Sequence, residues 1–398
     1  MILFVLSHQA WATSQWARKY DMGCTSCHTA FPRLTYFGEK FMKNGYQMPG
    51  TEDGDDNKER IGSSLVLDEL QNLFGIRLSL TPLKIKNDEG GKKSDINIGN
   101  ADWLQLFTAG SIFKNTSIFI ETELQDEKTI HHNWFHLGFH NLFGQSLANI
   151  RVGKLSPMDW HSMSGRLRMI PNVGVRAISD IKSSKGNVAD PRGADSVPLG
   201  SGVPAIEVYG YKGPAIYSLG ISNGNGKSAT DPNEYKNVFG TIKLEMPSGL
   251  LEGSSISCWG MNGVDTTDSS KTFYKNDFWR SSIAGNLRWT DLDLIIAGFY
   301  GEDDNWNLDS NNNKNIFKAG ALQLGYNFIP SLYGVLQYDI VGSEDDKTIE
   351  FNKITPSIWY FPRENMRFGL TGRLDIQPTS DVHLKRQDEF TATFRMML

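Results

Sequence analysis

From about Asn72 onward the chain alternates with a period of two, and its second face is as polar as its first is apolar. In 318–328, Leu322, Leu324, Tyr326 and Phe328 share one side against Ala321, Gln323, Gly325 and Asn327. In 367–376, Phe368, Leu370, Leu374 and Ile376 stand opposite Arg367, Thr371, Arg373 and Asp375. Ile242, Leu244 and Met246 oppose Thr241, Lys243 and Glu245, and Ile118, Ile120 and Leu124 oppose Glu121 and Glu123. A period of two is the signature of a β-strand. A soluble sandwich keeps its apolar face for the core. Charges and glycines recurring on the other face suit a wet lumen inside an apolar outer band. Two soluble β-sandwiches are the alternative.

Connection lengths test this independently. Sixteen strands are read near 72–85, 101–113, 116–125, 134–142, 148–155, 204–213, 215–224, 238–247, 253–264, 278–289, 291–302, 317–328, 331–342, 350–361, 365–376 and 389–398. Short links, such as Lys114-Asn115, Pro214, Thr290 and Ile329-Pro330, alternate with long polar loops, such as 86–100, 225–237 and 377–388. Outer-membrane barrels show that asymmetry, with short periplasmic turns and longer extracellular loops. The expected fold is therefore all-β, a 16-stranded antiparallel transmembrane barrel over 61–398. Mean hydropathy is −0.37, and no apolar run reaches the ~20 residues of a membrane helix. A net charge of −5 gives no reason to expect nucleic acid as a partner. Aromatic pairs near strand ends, such as Trp134-Phe135, Phe278-Trp279 and Trp359-Tyr360-Phe361, fit interfacial girdles.

One connection, 156–203, is exceptionally long and holds Trp160, His161, Met163, Arg166, Arg168 and Met169. Loops this long are usually functional. It reads either as an element folded into the lumen or as a surface flap.

The N-terminal part differs from the rest. Residues 1–12 look like the remnant of an export signal, with apolar 2–6 and an Ala10-Trp11-Ala12 cleavage pattern. The missing positive region suggests that the start lies upstream; a short buried strand is the alternative. Cys24-Thr25-Ser26-Cys27-His28 then has the spacing of c-type haem attachment, with His28 beneath the iron. No second pair at zinc-knuckle spacing follows. Phe31, Leu34, Phe37 and Phe41 form one stripe of a helix suited to lie against a porphyrin or against protein, with Pro32 at its start and Gly45 at its stop. Met48, before Pro49, is the candidate sixth ligand, with a distal histidine or an open position as alternatives. Residues 13–60 are too few to enclose a haem alone. One covalently bound haem c on a short helical segment, plugging the lumen or lying on the periplasmic side, is the expectation.

The stretch Ala17-Arg18-Lys19-Tyr20, Met22 to His28, Phe31-Pro32-Arg33-Leu34, Phe37-Gly38 and Gly45-Tyr46 resembles the fused outer-membrane cytochrome–porins of the Cyc2 type. That resemblance implies haem attachment at Cys24 and Cys27, with His28 as proximal ligand. It implies an oxidoreductase of iron-oxidising bacteria, passing electrons from extracellular Fe(II) to a periplasmic soluble cytochrome or copper protein. Outward electron transfer to an external acceptor and a diffusion porin with a haem plug are the alternatives. Acidic runs at Glu302-Asp303-Asp304 and Glu344-Asp345-Asp346 would either attract Fe(II) or be ordinary solvated loop charges. His131-His132 is read as an incidental loop pair, and Cys258 as a small wall residue.

Overall fold

A computed structural model describes residues 15–30, 33–49, 58–61, 65–68, 72–88, 95–113, 115–125, 129–144, 146–163, 199–223, 234–266, 274–346, 349–376 and 387–398. The proposed export remnant, 1–12, lies outside them, as do Phe31, Pro32, Arg166, Arg168 and Met169. Before the barrel come α1 (Gln15–Tyr20), α2 (Cys24–Cys27), β1 (His28–Ala30), β2 (Arg33–Leu34), α3 (Tyr36–Lys43) and the hairpin β3 (Lys58–Ile61) and β4 (Leu65–Asp68).

The barrel begins with β5 (Phe74–Asp88), β6 (Asp95–Phe113), β7 (Thr116–Gln125), β8 (Thr129–Phe139) and β9 (Asn149–Leu155). It continues through β10 (Val203–Lys212), β11 (Ala215–Asn223), β12 (Lys236–Glu245), β13 (Ser255–Thr266), β14 (Lys275–Trp289) and β15 (Leu292–Asp303). The last five strands are β16 (Asn315–Ile329), β17 (Leu332–Ser343), β18 (Phe351–Arg363), β19 (Met366–Asp375) and β20 (Gln387–Met397). Each pairs antiparallel with its successor, and β20 closes onto β5, so the sheet has no free edge. No helix among the described residues is long and apolar enough to cross a membrane; strands do it.

Alternation sets the two surfaces. Ile242 is 66% exposed on the outer face, whereas its neighbour Lys243 is 1% exposed on the inner one. Leu219, Leu370 and Phe328 are likewise turned out, while Thr371, Gln323 and Glu207 are turned in. The aromatic girdles are thinner than expected. Trp279, Trp289 and Tyr360 are exposed, but Phe278, Phe299 and Trp359 are buried inside. Adjacent aromatics in a strand cannot share a face.

Nor is the interior wet throughout. Leu155, Met158, Met163, Phe239, Trp259, Phe278, Phe299, Trp306 and Phe317 form a dry cluster within the barrel. The acidic runs split accordingly. Asp303 accepts two hydrogen bonds from Arg280 Nη2, at 2.8 and 3.0 Å, and Asp346 accepts one from Trp306 Nε1 at 2.8 Å. Only the outward members of each run are solvated. His131 and His132 belong to β8 rather than to a loop, with His132 Nδ1 3.2 Å from Thr122 Oγ1. Cys258 is an exposed wall residue of β13.

Candidate functional site: the inward face and the N-terminal segment

Residues 15–49 are held at the short-turn end by side chains of the inward face. The helix after the Cys pair starts at Tyr36, later than the Phe31–Phe41 stripe suggests. His28–Ala30 and Arg33–Leu34 pair as the short antiparallel strands β1 and β2 instead, and Thr35 Oγ1 accepts from Gly38 N at 3.0 Å as the N-cap of α3. The stop is as expected: Gly45 has φ +67° just beyond the C-cap Asn44. A side chain at Gly45 would collide with the ring of His140.

Charged groups of this segment pair across to the barrel. Arg33, fully buried, donates from Nε and Nη2 to Asp293 at 2.5 and 3.0 Å, and from Nη2 to Asn286 Oδ1 at 2.8 Å. Lys43 Nζ lies 2.6 Å from Glu245 on β12, and Lys243 Nζ bridges Glu245 and Glu39, both at 2.8 Å. Arg288 completes the network on Glu39 at 3.0 Å. These groups are 13% exposed or less, which gives each pair far more weight than a surface salt bridge.

Tyr209 is the second anchor. Its hydroxyl donates to Lys43 O at 3.0 Å and meets His140 Nδ1 at 2.9 Å, while His140 Nε2 meets Ser117 Oγ at 2.7 Å. Because the Tyr209 proton goes to the carbonyl, His140 Nδ1 must be the donor and Nε2 the acceptor. His140 lies in the β8–β9 connection. Burial, reinforced by the charge of Arg151, pushes it down to about 4, so it is neutral at ordinary pH.

From the other side, residues 156–163 enter the lumen, as the inward reading of the long connection expects. Trp160 stacks on Tyr209 with centroids 4.5 Å apart and donates from Nε1 to Glu207 at 3.0 Å. Arg151 reaches Asp159 at 3.1 Å and Glu207 at 2.5 Å, and Ser162 N donates to Ser257 Oγ at 2.8 Å. Tyr209 thus touches both the N-terminal segment and the inward loop. Sequence reading missed Tyr209, Glu207, Arg151 and His140. Their inward phase was legible, but not which strands they face.

The haem assignment is corrected here. Cys24 and Cys27 lie at the two ends of α2 and His28 opens β1, and no three His, Cys, Asp or Glu side chains among the described residues are gathered to hold a metal ion. Phe37 and Phe41 of the aromatic stripe pack on protein. Phe41 packs edge-on against Trp16 and Tyr20 at 5.7 and 5.6 Å, and Tyr46 stacks on Trp16 at 4.7 Å. Both thiols are held protonated: burial, with Glu364 next for Cys24 and Cys24 next for Cys27, pushes each up to about 11. Met48, the expected sixth ligand, follows α3, and its carbonyl accepts from Asn44 Nδ2 at 3.0 Å.

No family model matches the chain, and neither does any curated protein. Solved structures do. The barrel is similar to an anion-selective porin from Comamonas acidovorans, at TM-score 0.56 and 11% identity over 82% of this chain and 98% of that one. It is similar to the outer membrane channel DcaP of Acinetobacter baumannii, at TM-score 0.57 and 12% identity over 86% and 99%. It is also similar to OmpT, an outer membrane protein of Vibrio cholerae, at TM-score 0.51 and 13% identity over 85% and 99%.

The chain is therefore an outer-membrane β-barrel of sixteen strands, closed without an edge. The resemblance to iron-oxidising cytochrome–porins, the haem c cofactor, the electron-transfer function and the oxidoreductase assignment are not upheld. The likeness is to porin and channel barrels, and no ligand set is gathered.

Proposed function

We propose that this protein is an outer-membrane channel whose lumen is obstructed at the short-turn, periplasmic end by its own N-terminal segment. The observation that carries the proposal is the buried network Lys43–Glu245–Lys243–Glu39–Arg288, which ties α3 to the inward face of β12 and β14. Residues 156–163 narrow the lumen further, with Trp160 tied to Glu207 and Asp159 to Arg151 of β9. The outer apolar band contacts membrane lipid, and the lumen offers solutes a polar, charged wall. The likeness of the barrel to an anion-selective porin and to an outer membrane channel supports a transport role.

Planar-bilayer recordings test both halves of this reading. The full chain is expected to give small or rare conductance steps. Deleting 15–49 is expected to raise the conductance several-fold. Equal conductance in the two proteins would overturn the plug, and a silent deletion protein that still forms a closed barrel would overturn the channel.

A further inference from the structure

The outer wall of the barrel is not smooth. A groove of about 430 Å³ crosses its apolar face where β18, β19, β20 and β5 lie side by side. The residue choice makes the dent. The β18–β19 register runs from Ile354 opposite Leu374 to Ser357 opposite Thr371, which sets Pro356 beside Gly372 on the outward face. Gly372 contributes no side chain there and Pro356 only a compact ring. One row nearer the short turns, Ala392 lies between Leu370 and Leu83. The floor of the groove therefore runs diagonally through Pro356, Gly372 and Ala392, with Ile358, Leu370 and Phe390 among its walls. Proline removes a ladder donor from a strand interior and glycine packs nothing there. Glycine at such a place marks the close approach of a ligand to the backbone.

The position of the groove in the wall decides what fills it. Leu370 and Phe390 are exposed members of the outward apolar band. The next row toward the short turns is aromatic, with Tyr360 opposite Phe368 and Phe368 opposite Phe394, the last two rings 4.8 Å apart. Aromatic rows of this kind sit at the membrane–water interface. The groove thus lies just inside the hydrocarbon on the short-turn side, where the solvent is acyl chain and not water. Beyond the aromatic row β18 ends on Arg363, which is exposed and forms no ion pair among the described residues. An arginine at headgroup depth is matched by a lipid phosphate.

From this juxtaposition we infer that the groove is a specific site for a phospholipid of the periplasmic leaflet. One acyl chain lies along Pro356, Gly372 and Ala392, and the phosphate is held by Arg363. The site rests on the seat of the barrel in the outer membrane and requires neither conduction nor the plug.

Native mass spectrometry of the purified full chain, released from detergent after addition of palmitoyl-oleoyl phosphatidylglycerol, tests it. The expected result is a single lipid retained per barrel, saturating as lipid is raised. Gly372→Leu with Ala392→Leu fills the floor and should lower retention about fivefold or more. Gly298→Leu adds the same bulk to β15, where a side chain would meet nothing within 4 Å, and should retain lipid as the parent does. Equal retention in the parent and the filled variant, or an equal loss in Gly298→Leu, would mean annular lipid only and overturn the site. A parent that is dimeric where the filled variant is monomeric would assign the groove to a second copy of the chain, and overturn it too. Should the filled variant fail to give the closed, heat-modifiable barrel, Leu370→Ala with Phe390→Ala lowers two walls at exposed positions. That pair should weaken retention about threefold, and unchanged retention would equally defeat the inference. Arg363→Gln should also weaken it about threefold, and no change there would overturn the phosphate contact. Absence of retained lipid in a chain whose conductance rises on deletion of 15–49 would sink the lipid site alone and leave the channel standing.

Discussion

At the scale of single residues, His140 sits where three parts of the chain meet, bonded to Ser117 of β7 and Tyr209 of β10 and closed over by Gly45 of the N-terminal segment. Its neutral form is built into that arrangement, since Nε2 must accept from a hydroxyl. The pH dependence has a definite sign. Burial holds its folded value near 4, below the ordinary 6.5. The stabilisation it confers is therefore complete above about pH 6.5. It is lost as pH falls toward 4, where the unfolded chain takes up a proton that the folded one refuses. The span corresponds to about 3 kcal/mol. Urea-unfolding midpoints in micelles should fall between pH 7 and 4.5 in the parent, and fall less in His140→Gln. Parallel curves for the two proteins would show that His140 is not the titrating group.

At the scale of elements, α3 shows what the sequence could and could not reveal. Gly45 as a stop was legible because the left-handed conformation there is a local requirement. The start was not, because Thr35 capping and the β1–β2 pairing displaced the helix from its first apolar residue. Cys24-Thr25-Ser26-Cys27-His28 matched a cofactor motif in spacing, yet Phe41 beyond it packs on Trp16, Tyr20 and Tyr46, none of them from the helical stripe. Glu39 is the element's main tie. It is buried against both Lys243 and Arg288, and its loss would leave Arg288 and part of the Lys243 charge uncompensated. Breaking one partner of a buried ion pair costs about 3 kcal/mol or more. Glu39→Gln should thus raise amide hydrogen exchange in α3 roughly a hundredfold while β12 to β15 stay protected. Unchanged exchange in α3 would mean that the network does not hold the segment.

At the scale of the whole molecule, the strand count and the alternation of short and long connections could be read from the sequence because both are local: two-residue periodicity and turn length need no knowledge of neighbours. The dry cluster that includes Met158 and Met163 could not, since Leu155, Trp259, Phe278 and Phe317 come together only when the sheet curls round on itself. The outer band follows from the same alternation and makes a prediction that separates a lipid-facing barrel from a soluble sandwich. Leu219, 62% exposed, lies at the middle of β11, whereas Leu250, 70% exposed, lies in the β12–β13 turn. In water the two positions would tolerate arginine equally, because neither loses packing. In a bilayer the cost depends on depth, about 2–4 kcal/mol at the midplane and close to zero at the interface. Unfolding measured in phospholipid vesicles should therefore show Leu219→Arg destabilised by about 2–4 kcal/mol, with Leu250→Arg nearly unaffected. Equal and negligible costs at both positions would contradict the membrane band. Equal and large costs would place the β12–β13 turn within the hydrocarbon, and the short-turn end would then not be the interface at which the N-terminal segment is anchored.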